Sequence, residues 1–270
     1  VLARVATQAG ESGAVNEDYA AIGDDTVVVL DGLTARTETG CIHGVRWYVE
    51  QLANAIIHRA SLGPREALAT AIEDTADQHR STCDLTHPGT PAAAVAIAQF
   101  STTELRYLVL CDTTLTLDTT AGITIVTDPR MGHTAPAERA AANASPVGSP
   151  EKAQALTRMK HVELAARNTP EGYWVASSDP TVAKHAITST VRLTDLHRTA
   201  ILTDGATRLV EPFGVLSWAA LLDLLSTDGP DELLRRTRAI EEYDPTGIRW
   251  PRNKKSDDAT VVYLEAGYAG

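Results

Sequence analysis

Short apolar, β-branched runs alternate along this chain with longer stretches whose apolar residues recur at helical spacing. Runs at residues 2–6 and 26–30 predict two strands, joined by a polar, glycine-containing segment from Gly10 to Asp18. Val45, Tyr48, Val49, Leu52, Ile56 and Ile57 then share one helical face. A second helix is expected over 64–79, with Pro64 in its first turn and Leu68, Ile72 and Thr75 or Ala76 on its stripe. After the breaker Thr86-His87-Pro88-Gly89, strands are expected at 92–100, 105–110, 115–118 and 123–126. The stretch 128–172 lacks strand alternation and reads as loop with short helices, a flap-like insert. Strands at 173–176 and 199–202, helices at 215–225 and 230–243, and a closing strand at 259–264 complete the pattern.

Segregated blocks of strands and helices do not alternate as a parallel βαβ chain would. They imply an α+β fold of antiparallel sheets with helices outside, and this many strands need two stacked sheets. The expected architecture is a four-layer α-β-β-α sandwich formed by a single domain over 1–270.

Charge narrows the partners. The formal net charge of −11 opposes nucleic acid and anionic membrane surfaces, which need clustered Lys and Arg. No apolar stretch approaches the roughly 20 residues that span a bilayer. Cys41, Cys83 and Cys111 are widely spaced and odd in number, giving neither a disulfide framework nor a zinc pattern, so a reduced cytoplasmic setting is expected. A monomer is the expected state. The start at Val1, without Met, suggests a domain trimmed from a longer chain.

Four of the apolar runs meet an aspartate. Residues 26–30 lead into Asp31-Gly32, 105–110 into Cys111-Asp112, and 199–203 into Asp204-Gly205, while Asp257-Asp258 opens the last run. Acids held at strand ends by a rigid scaffold suggest a site for hard cations. Singly, an Asp-Gly after a strand is a turn more often than a ligand.

Taken in order, these acids and their neighbours resemble the metal-dependent type 2C Ser/Thr protein phosphatase family. Asn16-Glu17-Asp18, Asp31-Gly32, Cys111-Asp112-Thr113, Thr203-Asp204-Gly205 and Asp257-Asp258-Ala259-Thr260 match its motifs, and Gly89-Thr90 resembles its Gly-Thr-Thr. The resemblance implies the same sandwich and a binuclear centre of two Mn²⁺ or Mg²⁺ ions. Asp31 would bridge them, Asp204 and Asp257 would complete one site, and Asp18 with the Gly32 carbonyl would serve the other. Asp112, helped by Asp204, would match a weaker third site. Oxygen ligands without His or Cys select Mg²⁺ or Mn²⁺ over zinc. Two such ions about 3.5–4 Å apart activate a shared water, so that a metal-bridging hydroxide serves as nucleophile.

The chain departs from that pattern on the phosphate side. Gly13 stands where family members usually carry an arginine, leaving Arg4, Arg36 and Arg46 as substitute cations. Leu33 cannot act as a general acid, so His43 is the candidate for that role. Within the insert, Arg130, His133, Arg139 and Arg158 are candidate phosphate contacts. Three functions fit: a phosphoserine/phosphothreonine phosphatase acting on proteins, a phosphatase of a small phosphorylated metabolite, or a non-catalytic pseudophosphatase that binds a phosphoprotein or kinase.

Overall fold

The computed structural model describes residues 2–265. Ten strands form two antiparallel five-stranded sheets. One has the order β1 (Leu2–Gln8), β10 (Ala259–Glu265), β9 (Leu196–Leu202), β6 (Thr114–Thr119), β7 (Gly122–Val126). The other has the order β2 (Tyr19–Ile22), β3 (Thr26–Gly32), β4 (Ala93–Phe100), β5 (Glu104–Leu110), β8 (Ile187–Arg192). Helices α1 (Gly44–His58) and α2 (Pro64–His79) cover the second sheet; α7 (Trp218–Thr227) and α8 (Pro230–Tyr243) cover the first.

The period of two along β3 sorts its side chains between two cores. Val28 and Leu30 face α1 and α2 together with Val95, Ile97 and Leu108. Val27 and Val29 face the opposing sheet, meeting Ile201, Val262 and Leu264 in the layer between sheets. Every residue of β3 except Asp31 is buried, so burial on both faces explains its unbroken apolar run. This is the α-β-β-α sandwich expected from the pattern.

Local differences have identifiable causes. Strands β2 and β8 escape the sequence reading: β2 is only four residues long, and β8 is exposed at nearly every position. The strand expected at 173–176 is absent. That segment makes only isolated bridges, Ala93 to Ala176 and Arg167 to Tyr173, and buries Tyr173 and Val175 beside Leu33 and Cys111. Ser217 caps α7 by accepting from the Ala220 N–H, so the helix starts three residues later than the apolar pattern suggests.

The insert is more ordered than its composition indicates. It folds into α3 (Arg130–His133), α4 (Pro136–Asn143) and the 17-residue α5 (Pro150–Ala166), capped by Ser149. Ala142, Ala155, Leu156 and Met159 give it a small core of its own. Its inward stripe is built largely from Ala, Lys and Met, which leaves little apolar periodicity to read.

Gly205 shows how closely the two ends of this core approach. A Cβ there would lie 2.0 Å from the Asp258 carbonyl oxygen, whereas a Cβ on Gly132 would meet nothing within 4 Å. Gly205→Ala is therefore expected to lower the thermal midpoint by several degrees, about 2–4 °C per kcal/mol for a chain of this size. Gly132→Ala leaves it within about a degree, and differential scanning fluorimetry on the pair checks this.

Candidate functional site

The strand-end acids converge at one end of the sandwich. Asp31 closes β3, Asp112 sits in the turn between β5 and β6, Asp204 opens the short helix α6 (Asp204–Thr207) after β9, and Asp257 precedes β10. All four border a cavity of about 140 Å³ together with Gly32. The cavity continues into a wider cleft of about 460 Å³ that Asp112, Asp204, His133, Arg139 and Arg208 also border. A larger groove of about 700 Å³ lies between α2 and β8, but it gathers no set of carboxylates.

Backbone constraints hold the acids in place. A Cβ on Gly32 would lie 2.5 Å from the Glu17 carbonyl oxygen, so glycine lets β3 press against the Asp18 segment. The Asp204 N–H donates to Asp31 Oδ2 at 3.3 Å, linking one sheet to the other. Asp18, 2% exposed, accepts from the Thr203 hydroxyl at 2.7 Å. Asp258 accepts from the N–H groups of Gly10 at 2.8 Å and Glu17 at 2.7 Å, fixing the loop before β2. Cys111 has φ +70°, a left-handed conformation that disfavours a β-carbon, and it turns the chain sharply into Asp112.

Burial first, and then mutual proximity, shifts the acids at and beside the cavity. Burial, then the neighbouring Asp204 and Asp18, pushes the Asp31 carboxyl well above its usual range. Burial, opposed by the Thr203 hydroxyl, does the same to Asp18, and burial raises Asp112. Asp204 is raised to about 7 by its low-dielectric surroundings and by Asp257, although its side chain still meets water in the cavity. Asp257 alone goes down: burial pushes it up, but the Lys254 ammonium and Arg208 guanidinium outweigh that. Lys254 Nζ donates to Asp257 Oδ1 at 2.7 Å and to Thr34 Oγ1 at 2.8 Å. Arg208 bridges Asp257 at 3.1 Å and Glu241 at 2.6 Å.

The cations differ from those the sequence nominated. Arg36 does border the cavity. Arg4 does not: it pairs with Glu265, donates to the Ser226 carbonyl and lies over Tyr263 at the far side of the first sheet. Arg46 is likewise spent elsewhere, pairing with Glu50 and donating to the Asn16 and Asp18 carbonyls at 3.0 Å each. His43 stacks on Trp47 and bonds the Thr82 hydroxyl, outside both stretches of the cleft. Of the insert's candidates, Arg139 and His133 reach the cleft. Arg130 is held by Asp128.

Two ammonium groups went unnoticed in the sequence. Lys254 comes from the loop before β10 and Lys160 from α5, and both border the acid cavity. Lys160 is 6% exposed, and burial lowers its pKa to about 8. A lysine on the inward stripe of an otherwise weakly patterned helix was the available signal. The cysteines depart from the sequence expectation of no disulfide: Cys41 and Cys83 form a disulfide across 42 residues, because the loop after β3 doubles back onto the end of α2.

No protein-family profile matches this chain, and no characterised protein matches it in sequence. Solved structures do match in fold. The Mycobacterium tuberculosis serine/threonine phosphatase PstP/Ppp superposes with a TM-score of 0.56 at 15% identity, covering 98% of this chain and 97% of that one. The Staphylococcus aureus serine/threonine phosphatase Stp1 gives 0.59 at 13% identity, covering 97% and 94%. A PstP catalytic domain in complex with two manganese ions gives 0.56 at 15% identity, covering 98% and 97%. The chain thus has the fold of bacterial serine/threonine phosphatases along nearly its whole length. Among the described residues, no helix is long and apolar enough to cross a membrane.

The crowded acids set a stability test for metal-free protein. A carboxyl whose folded pKa is raised destabilises the fold as pH climbs from about 4, where the unfolded chain ionises, through the folded value of about 7. Asp204→Asn removes that cost, so in chelator at pH 8 it should melt higher than wild type. The gain is about 1 kcal/mol after discounting for water in the cavity. The difference should vanish by pH 4, which thermal melts across pH will show.

Proposed function

We propose that this protein is a divalent-metal-dependent phosphomonoesterase that acts on phosphoserine or phosphothreonine in proteins. The observation that carries the reading is the convergence of Asp31, Asp112, Asp204 and Asp257 on one cavity, with Asp18 buried close by; burial first, then neighbouring carboxylates, pushes Asp18, Asp31 and Asp204 toward protonation.

The residues fit hard cations. The acids at the cavity offer oxygen donors with no His or Cys among its lining, and no three carboxylates bring oxygens within 4.8 Å of one another among the described residues. Mg²⁺ and Mn²⁺ hold their oxygens at roughly 2.1 Å, so the acids sharing one ion would have to draw together as it binds, with water filling the remaining positions. Asp31 would be shared between two ions, with Asp204 and Asp257 on one and Asp18 and the Gly32 carbonyl on the other. Asp112 would serve a third. Two bound ions supply an activated water and a clamp for phosphoryl oxygens.

The chain's own cations orient the ester. Gly13 offers no side chain, so Arg36, Lys160 and Arg139 are the groups positioned to take phosphate oxygens as they enter the cavity. Arg139 is already bonded to Glu163 at 2.9 Å, which leaves Arg36 and Lys160 as the more available pair. Lys160 and Arg139 come from the insert, so α4 and α5 act as the wall that selects the substrate. Thr34 ties Glu17 to Lys254 through bonds of 2.6 and 2.8 Å, holding the cavity floor.

One observation favours a second, non-catalytic reading. Lys254 neutralises Asp257 from within the chain, and an ammonium that stayed there would displace an ion. Calorimetry with Mn²⁺ separates the two readings: the phosphatase binds at least two ions per chain, the pseudophosphatase none.

Hydrolysis of a phosphothreonine peptide should rise with Mn²⁺ and stop with chelator, and Asp31→Asn should lose about 10²-fold or more in kcat. Full metal-dependent activity in that variant refutes the assignment. Lys160→Gln should raise KM about tenfold with little change in kcat. In wild type KM should climb as pH passes about 8, where the Lys160 ammonium loses its proton. The variant's KM should be flat through that range.

A further inference from the structure

A second group of ligand-bearing side chains lies outside the acid cavity. Cys41 Sγ, His79 Nδ1 and Cys83 Sγ all fall within 4.8 Å of one another, alone in doing so among the described Cys, His, Asp and Glu residues. Cys41 comes from the loop after β3, His79 from the last turn of α2, and Cys83 from the turn that follows. None of the three borders the acid cavity.

Two features go beyond a disulfide. His79 is 2% exposed, and its Nδ1 faces Cys41 Sγ at 3.4 Å, an arrangement a structural bridge does not require. Burial, then His43 and Arg80, lowers its pKa, so its imidazole stays neutral with a lone pair available. The ring is fixed by Trp47, 5.0 Å away, and His43, 6.1 Å away. The Thr82 hydroxyl lies 3.8 Å from Cys83 Sγ, where it can donate to a thiolate.

We propose that Cys41, His79 and Cys83 form a zinc-binding site when the Cys41–Cys83 bridge is reduced. Two thiolates and one imidazole are the soft donor set that selects zinc over Mg²⁺, and water takes the fourth tetrahedral position. The chemistry balances: the S–S bond accepts two electrons and two protons from a low-molecular-weight dithiol, which is oxidised to its own disulfide. Zn²⁺ then replaces the two thiol protons, which leave to solvent, and the site becomes electrically neutral. Both forms tie the loop after β3 to α2. That loop also carries Thr34 and Arg36, so the tie sits five residues from a cation of the acid cavity.

The test uses Co²⁺ as a probe, since only thiolate ligands give thiolate-to-cobalt charge-transfer absorption and no cysteine lines the acid cavity. Protein reduced with a phosphine, freed of it without air and held in excess Mg²⁺ is titrated with Co²⁺. One equivalent should develop the band, and one equivalent of Zn²⁺ should abolish it. Cys41→Ser and Cys83→Ser should each lose the band, and His79→Gln should weaken Co²⁺ binding about tenfold or more, with circular dichroism reporting that each variant is folded. Unreduced protein should give no band.

Three results overturn the proposal: a bridge that mass spectrometry finds intact after phosphine treatment of the native protein, a reduced wild type without the band, or a band that survives in both serine variants. Because the readout is sulfur-specific, it is independent of whether the acid cavity hydrolyses phosphate.

Discussion

Repulsion among carboxylates crowded at one end of the sandwich is the constraint around which this molecule is arranged. Asp31 and Asp18 come from the sheet that carries α1 and α2, whereas Asp204 and Asp257 come from the other sheet. The apolar layer between the sheets, with Val29, Ile201 and Val262 at its centre, forces those acids to share one end of the sandwich. Without that layer they would separate into water. The fold supplies the energy that holds like charges together, and the second rank of residues keeps them aimed: Thr203 on Asp18, the Asp204 N–H on Asp31, and Lys254 with Arg208 on Asp257.

The frame was legible because it is written in β-branched runs ending in Asp-Gly. Burial on both faces makes β3, β4 and β10 nearly all apolar, and glycines at 32 and 205 are demanded by backbones in contact. The cation side was not legible. Arg4 and Arg46 were plausible by position along the chain, yet each found a carboxylate or carbonyl partner on its own layer. Lys160 became visible only when α5 folded, because the buried residues of its helix mix Lys152, Lys160 and Glu163 with Ala155, Leu156 and Met159 and so make no marked apolar stripe. The cysteine pairing was hidden for a similar reason, since a separation of 42 residues says nothing until the loop after β3 returns to α2.

The insert gives this sandwich its individual character. It delivers Arg139, Lys160 and Glu163 to the cavity from two helices that share a small private core. Contact between Cys111 Sγ and Met131 Sδ at 3.8 Å connects the first turn of that insert to the backbone just before Asp112. Movement of the wall and positioning of that acid are thereby mechanically joined.

Arg46 adds a consequence for how such a site diversifies. By gripping the Asn16 and Asp18 carbonyls from behind, helix α1 anchors the inner end of the 9–18 loop. Gly13, at the loop's outer end, has a φ of +80° and open space where a Cβ would stand. The two ends of one short loop are therefore constrained differently: residue 18 is tied to the sandwich, while residue 13 is limited only by its left-handed backbone. Residue 13 can thus change without disturbing the contacts that hold the acids.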